Sequence, residues 1–275
     1  MFRYLGLNVT QDEGSVIQID QISYIQEIPP VNVSRERQDK SLPLTTDELR
    51  DFRGLIGRLS WVTGQTRPDL AFEVCELAAS VKNATIEDLK RANKILKKAK
   101  SENVILRFGT SMKDISLEVY NDASFGNLQD GGSQGGFIIF LKDKDGYHSP
   151  LMWQSRRLQR VVKSTMASET LIQVEAAEAA FWLSNLLSEL YCQNTAVKIH
   201  CYTDSRQLYE AVNSLKPIVD RRLRIDLSIL KEMLERKEIS EIRWIDSQKQ
   251  LANCLTKKGA SAVNLLTSLR SGKLH

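Results

Sequence analysis

Histidine and cysteine are scarce in this sequence, three and four among 275 residues, and their placement excludes the chemistries that depend on them. His148, His200 and His275 are scattered and flank no nucleophile, which argues against a Ser-His-Asp or zinc hydrolase. Cys75, Cys192, Cys201 and Cys254 stand singly in apolar surroundings, without Cys-x-x-Cys spacing or the density of a disulfide scaffold. They read as buried thiols in a reducing compartment. Long apolar runs are missing too. The longest, residues 137–141 after two glycines, falls far short of the ~18 residues of a membrane span. The N-terminus turns polar before it can complete the apolar core of ~7–15 residues of a secretory signal. An intracellular setting, cytoplasmic or nuclear and away from membranes, is expected. Neither sign of charge dominates, with 38 Lys plus Arg against 34 Asp plus Glu and a net +4.

What is present is an ordinary globular composition, 42% hydrophobic and 26% charged, over a length suited to about two domains of roughly 100–150 residues. Residues 4–9, a polar turn at 11–14 and residues 16–19 predict a hairpin, followed by a short helix near 22–28 that Pro29-Pro30 ends. Thr45-Thr46-Asp47-Glu48 opens a helix carrying Leu49, Phe52, Leu55, Ile56 and Leu59 at helical spacing. Arg67-Pro68-Asp69 starts a second helix, with Leu70, Val74, Leu77 and Ala78 as its stripe. A third runs from residues 85–88 into the basic segment 94–100.

The period then changes. Ile115, Leu117 and Val119, residues 135–141 and residues 151–153 predict three short strands. A long helix from about 168 to 190 follows, then a strand at 197–203, a helix at 205–212, another at 220–236, a strand at 241–245 and a helix at 248–256. Three strands followed by this alternation describe a mixed α/β sheet with flanking helices. The basic residues Arg156, Arg157, Arg160 and Lys163 occur without an intervening acid from Gly146 to Ser168. Such a run tracks a phosphate backbone or forms a solvated loop, and charge alone does not choose between them.

Asp122 follows the first strand of the second part and Asp204 a later one, while Glu169 lies in the first turn of the long helix. Acids at the ends of neighbouring strands can converge, and a helix crossing the sheet can bring a third to the same edge. Three carboxylates together need cations, and hard oxygen ligands favour Mg²⁺ or Mn²⁺. Two such ions about 3.5–4 Å apart suit phosphodiester cleavage. Taken separately, the same acids serve as a turn residue, a partner for the helix dipole and a helix cap.

Asn121-Asp122-Ala123-Ser124-Phe125, Ser168-Glu169-Thr170-Leu171, Thr203-Asp204-Ser205 and the stretch Gln250-Leu251-Ala252-Asn253-Cys254-Leu255-Thr256-Lys257-Lys258-Gly259 occur in this order. Together they closely resemble the ribonuclease H domain of copia-type LTR retrotransposon polyproteins. Tyr4-Leu5-Gly6-Leu7 and Gly64-Gln65-Thr66-Arg67-Pro68-Asp69-Leu70-Ala71 resemble the end of the same polyprotein's reverse transcriptase. The resemblance implies a truncated reverse transcriptase end over residues 1–110 (last palm strands, thumb and connection) and a ribonuclease H-like domain over residues 111–275. The family's paired polymerase aspartates lie upstream of the Tyr-Leu-Gly-Leu stretch, so no polymerase activity is expected.

At the fourth site position the family's Asp is replaced by Asn253, which lowers the formal charge of the site from −4 to −3 against two divalent ions. The resemblance implies that Asp122 bridges both ions, that Glu169 and Asp204 complete one each, and that Asn253 assists near the attacking water. It implies as substrate the RNA strand of an RNA–DNA hybrid, chosen by A-like geometry and 2′-hydroxyls, with Arg156, Arg157, Arg160 and Lys163 on its phosphates and residues 94–100 extending the track. Two alternatives accompany this reading. One is a catalytically silent relic that still holds nucleic acid; the other is a structural subunit that pairs with a full-length reverse transcriptase.

Overall fold

The computed structural model describes residues 1–273 apart from 13, 15, 34, 35, 110, 112, 113, 129, 192–195 and 215–217. Cys192 and His275 therefore lie outside the described residues. The chain divides into two compact units, Met1–Arg107 and Phe108–His275. No helix of either is long and apolar enough to cross a membrane, among the described residues.

In the first unit the chain turns earlier than its alternation predicts. Leu5 and Gly6 take left-handed conformations, φ 48° and 84°, so the expected single strand over residues 4–9 becomes two, β1 (Phe2–Tyr4) and β2 (Leu7–Gln11). β3 (Ile17–Asp20) pairs antiparallel with β2. After α1 (Ile22–Glu27) come α2 (Thr46–Gln65), α3 (Ala71–Ser80) and α4 (Ile86–Ser101). α2 starts where the sequence signals it: the Thr45 backbone N–H donates to Glu48 Oε2 at 2.8 Å and the Glu48 N–H to Thr45 Oγ1 at 3.3 Å. Phe52, Leu59, Leu70, Leu77 and Leu96 fill the core. β4 (Leu106–Phe108), which the sequence does not announce, completes a sheet of order β1-β2-β3-β4.

The second unit is the expected mixed α/β sheet with flanking helices. Its elements are β5 (Ser116–Ser124), β6 (Gln134–Lys142), β7 (His148–Arg157), α5 (Thr165–Leu190), β8 (Lys198–Thr203), α6 (Arg206–Val212), α7 (Arg221–Glu235), β9 (Glu241–Trp244) and α8 (Val263–Ser271). The sheet order is β7-β6-β5-β8-β9. β5, β6 and β7 form the antiparallel meander, and β8 and β9 join parallel to β5. Parallel neighbours need crossover connections, and α5 supplies the first. Ala176, Ala177 and Ala180 on α5 are fully buried in one cluster with Leu117, Val119, Ile139 and Ile199. Small side chains there let the long helix seat closely on the sheet.

The strands are longer than the apolar runs suggest, because pairing with β6 carries β5 on to Ser124 and places Asp122 within it. The predicted helix at 248–256 is absent; two short 3₁₀ turns, Ser247–Lys249 and Asn253–Leu255, stand there instead. The Gln250 side chain turns inward and donates to the backbone carbonyls of Asn121 (2.9 Å) and Tyr202 (3.3 Å), a tertiary demand that overrides helical continuity. Cys201 and Cys254 are buried as expected, while Cys75 is only half-buried. Burial pushes the Cys201 thiol up to about 12, so it is not a nucleophile at neutral pH.

Candidate active site

Strand register explains how two acids distant in sequence become neighbours. β5 and β8 run parallel with Tyr120 opposite Tyr202, their rings stacked at 4.7 Å. Asp122 and Asp204 each lie two residues further on. Asp204 has just left its strand, where Ser247 Oγ donates to its Oδ2 at 2.6 Å and Trp244 Nε1 to its backbone carbonyl at 3.2 Å. The third acid arrives on α5. That helix begins at Thr165, its Ser164 cap accepting from the Ala167 N–H at 3.2 Å, so Glu169 stands in the second turn rather than the first and faces the sheet. Its proposed service to the helix dipole falls away, because that effect belongs to the first turn. One carboxylate oxygen from each of Asp122, Glu169 and Asp204 lies within 4.8 Å of the others.

The electrostatics of the trio are those of a site built for a cation. Asp122 and Glu169 are buried, and burial is the main cause that raises both carboxyls above their ordinary range. The negative charges of Asp122 and Asp204 raise Glu169 further, well above the usual value. Glu169 Oε2 is buried and has no hydrogen-bond partner. Such an orphaned oxygen is costly unless something electropositive meets it, and a hard divalent ion suits three converging carboxylates. The residues present fit such an ion.

This arrangement makes stability depend on pH. Between about 4.5 and the raised value of Glu169, the folded chain keeps a proton that the unfolded chain has released, so metal-free protein loses stability as pH rises through that window. Melting curves in chelator from about pH 5 to about pH 8 should show the decline, and Glu169→Gln should flatten it. A slope unchanged by Glu169→Gln would assign the effect to other groups.

Asn253, the fourth position, sits in the second 3₁₀ turn and is tied on both sides of its amide. Nδ2 donates to the Ser247 carbonyl at 2.8 Å, and Oδ1 accepts from Lys257 Nζ at 2.7 Å. The same ammonium reaches Asp122 Oδ1 at 3.0 Å, while Thr256 Oγ1 donates to Asp122 Oδ2. Lys257, Thr256 and Ser247 are thus site residues that sequence reasoning did not single out, although the first two lie inside the quoted motif. The stretch is anchored by Ser155 Oγ donating to the Leu255 carbonyl (2.6 Å) and Asn127 Nδ2 to the Thr256 carbonyl (2.9 Å).

Its seat needs a glycine. A Cβ on Gly136, which pairs with Asp122 across β5 and β6, would stand 2.6 Å from Leu255 Cβ and 3.1 Å from the Gln154 carbonyl. Gly136→Ala is expected to cost about 1–3 kcal/mol through overpacking and to displace Thr256 and Lys257 from Asp122. Urea unfolding of the two proteins measures it, and a loss below about 0.5 kcal/mol would show that the stretch yields freely.

The basic run does not form a stripe of unpartnered cations. Arg156 and Arg157 belong to β7 and point to opposite faces: Arg156 pairs with Glu175 at 2.5 Å and Arg157 with Asp130. Arg160 pairs with Asp226 of α7. Lys163 lines a small surface hollow with Arg160, Asp220 and Arg222.

No family model matches this chain. The retrovirus-related Pol polyprotein from transposon RE1 of Arabidopsis thaliana is 25% identical to it over 211 residues, 75% of this chain and 14% of the relative. That from transposon RE2 of the same plant gives the same figures. A putative transposon Ty5-1 protein of Saccharomyces cerevisiae is 27% identical over 192 residues, 62% of this chain and 61% of the relative. Among solved structures, RNase H1 from the archaeon Halobacterium salinarum aligns with 51% of this chain and 94% of its own, at 16% identity and a TM-score of 0.37. The chain spans 14% of the length of the two plant polyproteins. By sequence, then, this chain is similar over three quarters of its length to retrovirus-related Pol polyproteins of transposons.

Proposed function

We propose that Phe108–His275 is a divalent-metal-dependent endonuclease for the RNA strand of RNA–DNA hybrids, and that Met1–Arg107 is the end of a reverse transcriptase. The observation that carries the nuclease reading is the convergence of Asp122, Glu169 and Asp204 around a buried, unpartnered carboxylate oxygen. Asp122, Glu169 and Asp204 would hold Mg²⁺ or Mn²⁺, and such an ion would supply an activated water and Lewis-acid stabilisation of the leaving oxygen. Asp122, central and enclosed, fixes the charge of the site; Glu169 enforces it from α5, and Asp204 is held in position by Ser247. Asn253 orients water through its amide. Of the basic run, Arg157, Arg160 and Lys163 meet the backbone phosphates, while Arg156, on the opposite face of β7 from Arg157, stays paired with Glu175. The Arg157 pair with Asp130 is about half exposed and worth little in water, so a phosphate competes for that guanidinium.

The contacts of Lys257 favour a second reading, in which the site is silenced and the chain only holds nucleic acid. Cleavage of a labelled hybrid in Mg²⁺ or Mn²⁺ by the natural chain and by Asn253→Asp separates the two. Cleavage by the natural chain supports the nuclease. Cleavage by Asn253→Asp alone, or hybrid binding that weakens steeply with salt and never leads to cleavage, supports the silent binder.

A further inference from the structure

Asn253 is fitted to its surroundings in a way an aspartate is not. The Ser247 carbonyl can only accept and the Lys257 ammonium can only donate, so the amide orientation is fixed: nitrogen toward Ser247 at 2.8 Å, oxygen toward Lys257 at 2.7 Å. An aspartate in this pose would set one oxygen against the Ser247 carbonyl, which the Gln250 N–H also reaches at 3.2 Å, and leave that carboxylate oxygen facing an acceptor with no donor of its own. The amide closes a continuous chain of hydrogen bonds. It runs from Asp204 Oδ2 through Ser247 to Asn253, then through Lys257 to Asp122 Oδ1.

A positive charge thus already stands between the central acid and the fourth position. We infer that the Lys257 ammonium, cradled by Asn253, serves as the second cation of this site, so that the chain takes one divalent ion rather than two. The inference rests on the reading of the three acids as a metal site. Three carboxylates carry −3, and Lys257 brings the site to −2, the charge that one divalent ion neutralises. With an aspartate at 253 and no lysine the same place would carry −4, enough for two.

The test counts Mn²⁺ bound to the full chain without nucleic acid, by paramagnetic resonance of the free ion and by calorimetry, with circular dichroism and melting curves to verify folding. The natural chain is expected to bind one ion at the trio, a count that needs no variant, and Asp122→Asn to abolish it. Lys257→Met and Lys257→Gln are each expected to admit a second, weaker ion. Asn253→Asp combined with Lys257→Met should tighten that second ion by about tenfold or more, since a full charge is added beside it. Two ions on the natural chain, or a single ion of unchanged affinity on folded Lys257→Met and Lys257→Gln, would overturn the inference and leave the metal site standing. No ion on any of these proteins, the double variant included, would overturn the metal site itself and the inference with it.

Discussion

Asp122→Asn is expected to lower metal-dependent hybrid cleavage by about 10³-fold or more while the protein remains folded. The activity loss follows from position. Asp122 is the most deeply buried acid of the trio, and the charge stabilisation a held ion supplies is several kcal/mol, of which about 4 kcal/mol corresponds to roughly 10³ in rate. The folding half follows from the cause of its raised pKa. Burial penalises the charged form of this carboxyl and Asp204 adds repulsion, while Lys257 and Thr256 offset only part of that. A neutral amide of the same shape escapes both penalties, keeps an acceptor for Lys257 or Thr256, and relieves Glu169 of one neighbouring charge. The melting temperature in chelator at neutral pH should therefore hold or rise. Hydrolysis that persists in Asp122→Asn at the natural rate would end the nuclease reading, and a collapse of the fold would show that the carboxylate is structural.

The largest loss of stability is expected in the first unit, at Arg67. Its side chain is entirely buried and forms a two-pronged pair with Asp69, Nε to Oδ1 and Nη2 to Oδ2, both at 2.8 Å. The remaining nitrogen donates to the carbonyls of Ala99 (3.1 Å) and Glu102 (3.0 Å), serving the C-terminal end of α4, where helix carbonyls lack partners. One planar group thus satisfies a buried carboxylate and a helix end together. Arg67→Ala leaves Asp69 charged, buried and unpaired, and about 3–5 kcal/mol should be lost, a large share of the ~5–15 kcal/mol that holds a typical domain together. Arg67→Lys should recover little of this, because a point ammonium cannot reproduce the fork. Arg67→Met with Asp69→Leu should recover most, since replacing both partners removes the desolvation cost. Urea unfolding, with amide exchange along α4 as the local probe, decides it. A cost under about 1 kcal/mol for Arg67→Ala would mean that Asp69 finds water or another donor.

Much of this molecule is legible before any coordinates. The helices of the first unit announce themselves by Thr caps and apolar stripes, and Thr45 with Glu48 forms the box that its spacing foretells. The meander and the later alternation of strand and helix predict the mixed sheet, and Asp122, Glu169 and Asp204 are recognisable as acids that such a sheet gathers. The failures have physical causes. Leu5 and Gly6 in left-handed conformations break an alternating run that favours a single strand; Gly6 is permissive of that geometry, but a leucine beside it does not advertise it. Residues 248–256 have helical composition, yet the inward turn of Gln250 divides them into two 3₁₀ turns. The carboxylate partners of the basic run are not legible locally either, because Glu175, Asp130 and Asp226, which answer three of its guanidiniums, come from distant segments.

The sequence by itself determined most of the helices, the strands of the mixed sheet and which three acids lie where that sheet can gather them, since periodicity, caps and strand ends are local properties. Only the tertiary structure decided what the fourth position is. Lys257 meets Asp122 across 135 residues of chain because Leu255 packs onto the bare backbone of Gly136, and the amide of Asn253 acquires its partners only once that packing exists.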